Sequence, residues 1–376
     1  MKKSIVISFF ILATMSACFG QSSIKKLSKI YKVTSEKKCQ KKGGYWYKNK
    51  CWANFLEFDD GISKENIDTE VDKQIKESKN YGMKIDDKKL EIDLFFPEVD
   101  EDSKEITVVT LFTEGEKVKT LLQIGQWDGN NDKSLQFQVM LFNGNLMDVA
   151  EDESKIMSMI VGNGSSQGKF NEEKEEFIIK GSWTNDSKNK KVTFDLKAGG
   201  SLIGMGNTTL EIKGSEAFLN GTLGTKSYKQ FKEMIANHPE VKTVILENVP
   251  GSINDAVNMH TGRIIREAGL TTKVVSSSKI SSGGVDIFCA GKKRIIIKGA
   301  QLGIHSWGGG DGITADKLPK DHPAHQYQLE YFTMCLGKEK GPKFYFHTLE
   351  SAPLDGMHWM TAKEIKEWEI ATRFIE

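Results

Sequence analysis

Between residues 89 and 200, apolar and polar positions alternate with the two-residue period of strands buried on one face. Six stretches carry this alternation or short β-branched and aromatic runs: 90–96, 106–112, 118–126, 135–142, 177–183 and 192–196. Turn-forming clusters separate them, among them Asp128-Gly-Asn-Asn-Asp132, Asn143-Gly144 and Asn185-Asp186. Strands following one another in this way predict an antiparallel sandwich or small barrel over residues 88–206. Trp127 and Trp183 can either fill that sheet or offer a ligand an aromatic face.

Gly199-Gly200 and Gly204-Met-Gly206 mark a hinge, and beyond them the rhythm changes. Strands are predicted at 209–212, 217–223, 241–246, 273–275, 294–297 and 301–305. Helices are predicted at 228–236, 256–268, after Ser282, at 321–336 and at 361–372. Ser227 is placed to cap the first helix and His238-Pro239 to stop it, while Gly269 ends the second. Strands alternating with helices predict a largely parallel sheet wrapped by helices over residues 207–376. The fold class is therefore multidomain, a β-rich domain followed by an α/β domain. Residues 19–87 precede both as a basic stem and an acidic linker.

The N-terminus changes the picture by adding a location. Lys2 and Lys3 precede a short apolar run from Ile5 to Met15, and Ser16-Ala17-Cys18 follows. A membrane-spanning helix needs about twenty residues, so this run fits a cleaved secretory signal over residues 1–18. Small residues directly before a cysteine resemble a bacterial lipobox, with Met15 where leucine is more usual. That resemblance implies cleavage before Cys18 and a lipid on its thiol. An ordinary signal with an incidental cysteine is the alternative. The next segment, Phe19 to Lys50, holds ten lysines and one acid, Glu36. It can lie on anionic headgroups or simply be a solvated tether. The whole chain carries only +1 net charge, which gives no basis for a nucleic-acid partner.

Of five cysteines, one is assigned to the anchor. Cys39 and Cys51 enclose the aromatic turn Gly43-Gly44-Tyr45-Trp46-Tyr47, and in an oxidising compartment they are expected to form a disulfide. Cys289 and Cys335 fall within apolar helical patterns and read as buried free thiols. No cysteine pair has zinc-ligand spacing, and no metal or cofactor is expected. His322 and His325, beside Asp321, read as a surface helix terminus rather than a metal site.

Candidate chemistry concentrates in three turns at the ends of predicted strands. Asn248-Val-Pro-Gly-Ser252 joins a buried strand to a helix, where backbone N–H groups can receive an oxyanion. Ser281-Ser282-Gly283-Gly284 opens an apolar helix, and His305 ends the following strand ahead of Gly308-Gly309-Gly310. A hydroxyl and an imidazole brought together there would serve as nucleophile and base. Asp286 lies within the apolar helix, so Arg263, Arg266 or a backbone N–H is expected to meet it.

In combination these segments resemble the Clp protease subunit within the Clp/crotonase superfamily, in particular its periplasmic or lipoprotein branch. The matching pieces are Asn248-Val-Pro-Gly251, Gly262-Arg-Ile-Ile-Arg266 with Gly269-Leu270, and Ser282-Gly-Gly-Val-Asp-Ile-Phe288 with Ala290-Gly291. Further on they are Gly299-Ala-Gln-Leu-Gly-Ile-His-Ser306, Asp321-His-Pro-Ala-His325 with Tyr331, and His358-Trp-Met-Thr361 with Glu364. The resemblance covers residues 208–376. It implies Ser282 as nucleophile and His305 as general base, with the backbone N–H groups of Gly283 and of Ser252 or Gly251 holding the oxyanion. Clp subunits carry two glycines in the first turn, where this chain has Gly251 followed by Ser252. The position of the third, acidic member is taken by Met357. Asp355 is the nearest replacement, with Glu350 and Asp316 as the others, and a Ser-His dyad is the remaining catalytic form.

The resemblance thus implies an envelope-located serine hydrolase, most readily a peptidase. Its substrate would be a peptide or acyl compound, its membrane contact would be the N-terminal lipid, and a homo-oligomer is possible within the family. The anchor would face the periplasm or lie at the cell surface. A catalytically inactive, lipid-anchored binding or scaffold protein is the alternative.

The anchor is directly testable. Wild-type protein should partition into the detergent phase with membranes, and Cys18→Ala should release it or leave the leader uncleaved. A fully soluble wild type would exclude the anchor.

Overall fold

The computed structural model describes residues 29–42, 44–53, 63–99, 103–126, 135–146, 153–171, 174, 176–185, 189–308 and 314–376. Cys18, Trp127, Gly43, Gly309 and Gly310 lie outside the described residues. The chain divides into two compact units. One comprises residues 68–208 and 222–229, the other residues 1–67, 209–221 and 230–376.

The second unit begins with a small antiparallel sheet of β1 (Ile30–Tyr31), β2 (Tyr45–Tyr47) and β3 (Lys50–Trp52), with β3 central. Helix α1 (Glu36–Gln40) carries Cys39, which is joined to Cys51 in β3 as expected, with Cα atoms 5.4 Å apart. Gly44 is confined beneath this bond. A Cβ there would lie 2.6 Å from Cys51 Sγ and 2.9 Å from the Trp52 carbonyl oxygen. Trp52 is buried with its ring edge-on to His322 at 4.8 Å, and Lys50 pairs with Asp321. His322 and His325 are consequently buried, not at a surface helix terminus as the sequence suggested.

The β-rich unit opens with α2 (Ile67–Ser78), in the acidic stretch that the sequence reads as a partly helical or extended linker. It contains β4 (Gly82–Ile85), β5 (Lys88–Leu90), β6 (Ile92–Val99), β7 (Glu105–Glu114), β8 (Lys117–Gln126) and β9 (Leu135–Asn143). After α3 (Glu153–Met159) come β10 (Ile160–Asn171), β11 (Glu176–Asn185) and β12 (Lys190–Gly199). They form one nine-stranded sheet in the order β5-β4-β12-β11-β10-β9-β8-β7-β6. Its two edge strands are consecutive in the chain, separated only by Glu91. Nine strands laid flat would hold those edges about 38 Å apart at ~4.8 Å per strand, whereas Leu90 to Ile92 spans about 7 Å at most. The sheet must curl, which selects the barrel over the sandwich. Phe137, Val139, Ile179, Trp183, Phe194 and Leu196 pack in its interior, so Trp183 fills the sheet.

Strand β10 escapes hydropathy reading because Gly162, Gly164 and Gly168 occupy it. These positions must be bare. A Cβ on Gly164 would lie 2.6 Å from the Trp183 Cα, and one on Gly168 would lie 2.8 Å from Ile179 Cγ1.

The α/β unit is built on β13 (Thr209–Lys213), β14 (Glu216–Asn220), β15 (Thr243–Val249), β16 (Thr271–Ser281), β17 (Lys293–Ile297), β18 (Gln301–Ile304), β19 (His358–Trp359) and β20 (Arg373–Ile375). Pairing runs β13-β14-β15-β16-β17-β20 and is parallel from β14 onward. Strand β16 serves two partners in turn. Thr271 to Val274 face β17, whereas Lys279 to Ser281 face β18. Between them Ser278 Oγ donates to the Leu246 carbonyl and accepts from the Val275 N–H, so the polar Ser276–Ser278 stretch is the bend that lets one strand switch neighbours.

Helix α4 (Thr225–Asn237) precedes β15, and four described helices contribute to the site: α5 (Asp255–Glu267), α6 (Gly283–Ala290), α7 (Gln326–Leu336) and α8 (Lys340–Ser351). Asn254 caps α5 by accepting from the Val257 N–H, and Val285, Ile287 and Phe288 bury α6 in the core. The helix expected over 321–336 starts only at Gln326, because Pro323 shapes the preceding turn as a 3-10 element. Helix α8 opens with Lys340-Gly-Pro342, which reads as a break in sequence but is tolerated in a first turn, where N–H groups lack helical partners anyway. The last predicted helix is shorter: α9 (Ala362–Glu367), held by a Thr361–Glu364 capping box, gives way to β20. Cys289 and Cys335 are free and buried.

Gly44→Ala should force the Cys51 and Trp52 backbone to move, at a cost of about 1–3 kcal/mol typical of overpacking. Hydrogen exchange over residues 44–53 should accelerate while the β-rich unit is unaffected; unchanged protection there would contradict the packing described.

Candidate active site

Three strand ends lie side by side because their register places them so. Parallel pairing sets Val249 of β15 opposite Ile280 of β16, and Ser281 of β16 opposite Gly303 of β18. Pro250-Gly251-Ser252, Ser282-Gly283 and His305 therefore leave the same edge of the sheet. Hydrogen bonds tie the turns together. Ser281 Oγ donates to the Pro250 carbonyl (2.8 Å), the Ser282 N–H to the Gly303 carbonyl (2.9 Å) and Asn258 Nδ2 to the Gly283 carbonyl (3.0 Å).

Ser282 sits between β16 and α6 at φ 50°, ψ −125°, a conformation few residues with a Cβ adopt. Holding it costs on the order of 1–3 kcal/mol, and strain of this kind at a strand-to-helix turn projects a nucleophile out of the backbone. Glycines make the close approach possible. A Cβ on Gly251 would lie 3.3 Å from Ser282 Cβ, and one on Gly283 would lie 2.5 Å from Ser252 Cβ. The structure thus brings the residues read as oxyanion donors, Gly251, Ser252 and Gly283, against the nucleophile candidate. Gly283 also begins α6, whose positive dipole end favours developing negative charge.

His305 faces the same cavity as Ser282. Among the described residues no direct hydrogen bond joins the two; in unliganded sites such bonds are often long. The ring is positioned from its other side. Nδ1 lies 3.0 Å from the Leu354 carbonyl oxygen, so Nδ1 carries the proton and Nε2 is left with a lone pair. Burial lowers the pKa of His305, only partly offset by the Leu354 bond, which keeps the imidazole neutral at neutral pH.

None of the three acids proposed from sequence holds Nδ1. Asp355 is exposed, its neighbour Leu354 supplying the contact through backbone instead. Glu350 pairs with Lys320 at 2.5 Å, and Asp316 accepts from Ser306 Oγ at 3.1 Å. Met357 packs on β18, its Sδ lying 2.6 Å from where a Gly303 Cβ would be.

Two carboxyls sharing the cavity complete its chemistry, and only Asp286 had drawn attention in the sequence. The cavity measures about 30 Å³, room for about two waters, and Asp255 and Asp286 both line it. Asp255, in the first turn of α5, accepts from the Ser252 hydroxyl, yet burial raises its pKa from 3.8 to about 6. Asp286 is raised well above the ordinary range, first by burial and then by the Asp255 charge. Neither arginine expected beside Asp286 is there. Arg266 donates to the carbonyls of Ala290 and Gly291, and Arg263 lies over the Tyr327 ring.

The sign of the Asp255 shift fixes a prediction. The folded state holds this proton more tightly than the unfolded chain, so stability falls as pH rises from about 4 to about 6 and stays reduced above that. Asp255→Asn should raise stability at pH 7.5 and give no gain at pH 3.5. At about 1.4 kcal/mol per unit the ceiling is ~3 kcal/mol, less for the part of the side chain that faces open cavity. Denaturant melts at both pH values check this, and a variant no more stable at pH 7.5 would contradict it.

The chain matches no protein-family model and no curated protein. Solved structures similar to it are enoyl-CoA hydratases of the crotonase fold. One from Bacillus anthracis shares 11% identity over 45% of this chain and 70% of its own, with a TM-score of 0.30. An enoyl-CoA hydratase/carnithine racemase from Magnetospirillum magneticum shares 15%, over 45% and 68%, at 0.29. One from Geobacillus kaustophilus shares 13%, over 45% and 67%, at 0.30. Similarity this distant carries nothing about this chain's chemistry, which rests on its own residues.

Proposed function

We propose that the α/β unit is a serine hydrolase of the Clp-like kind, cleaving peptide or other acyl bonds at the cell envelope, where Cys18 would anchor it. The observation that carries this reading is the strained Ser282 turn beside a neutral His305 whose Nδ1 is occupied by a backbone carbonyl.

In this mechanism Nε2 of His305 removes the Ser282 proton as Oγ attacks the acyl carbon. The resulting oxyanion is held by the N–H of Gly283 and that of Ser252 or Gly251, each such donor being worth about 3–4 kcal/mol of barrier. Collapse of the tetrahedral species breaks the acyl bond, and His305 returns the proton to the leaving group. Water then repeats the sequence on the acyl-enzyme. Leu354 performs the orienting half of a triad acid's role, since its carbonyl selects the productive tautomer. It brings no negative charge to stabilise the imidazolium, so the enzyme is expected to be slower than a full triad.

A fluorophosphonate probe should label Ser282, and Ser282→Ala should abolish labelling. Asp355→Asn should alter the labelling rate by less than about threefold, because a tautomer fixed by backbone survives loss of that carboxylate, whereas losing a true triad acid costs about 10⁴. The acid limb of the rate profile should fall below the ordinary histidine range, following the lowered pKa of His305. Folded wild-type protein that resists labelling would instead support the non-catalytic scaffold.

A further inference from the structure

A strand near the N-terminus reaches the wall of the Ser282 cavity through a chain of buried contacts. In β3 successive side chains point to opposite faces, so Lys50 and Trp52 face one way and Cys51 the other. Cys51 is bonded to Cys39, which ties β3 to α1. On the opposite face Lys50 pairs with Asp321, and the buried Trp52 ring meets His322 edge-on at 4.8 Å. Two consecutive residues of one turn are thus gripped by one strand. His322 shapes that turn in its own right. Its Nδ1 accepts the Ala324 N–H at 3.1 Å and caps the 3-10 element Pro323–His325, which carries His325 inward.

Counting protons shows what His325 does there. Trp307 Nε1 can only donate, and it gives its hydrogen to the Tyr345 hydroxyl oxygen at 3.0 Å. Tyr345 is buried, and His325 Nδ1 lies 2.7 Å from the same oxygen. A proton on Nδ1 would leave the hydroxyl hydrogen without an acceptor, an arrangement that buried groups avoid. Nδ1 therefore accepts from Tyr345. The ring is neutral, because burial, and then His322, lower its pKa to about 4. At the far end of the chain Trp307 and Tyr345 both line the cavity that holds Ser282 and His305. Trp307 and Ala324 also pack together on the buried Leu318, so the indole and the turn share one support.

We propose that His325 and Tyr345 are positioning residues that set the Trp307 wall of the Ser282 cavity, and that β3 supports them from behind through Trp52 and His322. The inference deepens the hydrolase reading and rests on it for the wall's part in binding substrate. It makes the disulfide-closed N-terminal module a working part of the site, although none of its residues lines the cavity.

The test reads the Trp307 indole directly, by ¹H–¹⁵N NMR of the full-length chain, alongside labelling of Ser282 by a fluorophosphonate. Tyr345→Phe removes the acceptor of the indole N–H, and His325→Leu removes the acceptor that orients the hydroxyl. Each should speed solvent exchange of Trp307 Nε1–H by about tenfold, the weight of one such bond. Each should also weaken the apparent affinity for the probe by about tenfold and change the maximal labelling rate by less than about threefold, since the wall acts in binding. His325→Asn should restore both readouts to within about threefold of wild type, because its Oδ1 offers an acceptor where Nδ1 was. Trp52→Phe keeps an apolar ring but loosens the contact with His322, and should speed indole exchange in the same direction. The Trp183 indole serves as control, since a general loss of stability would move it too. A Trp307 indole unchanged relative to Trp183 in Tyr345→Phe and His325→Leu, or no restoration by asparagine, would overturn the proposal. An unchanged indole in Trp52→Phe would overturn the part assigned to β3. Wild-type protein that resists labelling while the indole behaves as stated removes the hydrolase and keeps the positioning chain, whereas labelling with an unresponsive indole does the reverse.

Discussion

Parallel pairing of β16 with β15 on one side and with β18 on the other is the constraint from which the candidate site follows. It aligns Ile280 with Val249 and Ser281 with Gly303, so the next residues of all three strands emerge together. A slip of one residue would reverse the faces of every side chain in a strand and set Lys279 or Ser281 where Ile280 is buried. Core packing resists that slip, because Ile280, Leu302 and Val249 are fully buried. The apolar pattern therefore specifies the site indirectly, by locking a register whose polar ends carry the chemistry.

Stability and chemistry pull against one another at this edge. The Ser282 turn holds backbone strain, and Asp255 and Asp286 are carboxyls whose charged forms burial disfavours. What holds them is the adjacent apolar mass: Val285, Ile287, Phe288, Cys289 and Ala290 bury nearly all of α6. At ~25 cal/mol per Å² of apolar surface, a few such side chains offset strain of the size involved. The helix is short and polar only where it meets the cavity, which is what a rigid support for a reactive end requires.

Much of this arrangement was legible in the sequence. Val241 to Leu246 and Arg294 to Ile297 read as strands because apolar and β-branched residues dominate them, and Ser282 and His305 stood out as polar residues just past the neighbouring strands β16 and β18. The Cys39–Cys51 pairing was equally plain from its short aromatic loop. Other features had no sequence signal. The partner of His305 is a backbone carbonyl, which any residue at position 354 would supply, so a search for acids could only find Asp355. Strand β10 was hidden by glycines that exist to admit Trp183 and Ile179, and α8 by a Gly-Pro pair in its first turn. Asp255 and Gln328 join the cavity through tertiary placement of α5 and α7, and helical spacing alone does not reveal that.

The central claim is that His305 is a neutral base oriented by the Leu354 carbonyl, with Nε2 free to accept the Ser282 proton. ¹⁵N NMR of the His305 ring in the full-length protein at neutral pH reads this directly. The account predicts a proton on Nδ1 and an unprotonated Nε2, unchanged in Asp355→Asn. A proton on Nε2, or a doubly protonated ring held by a carboxylate, would contradict it.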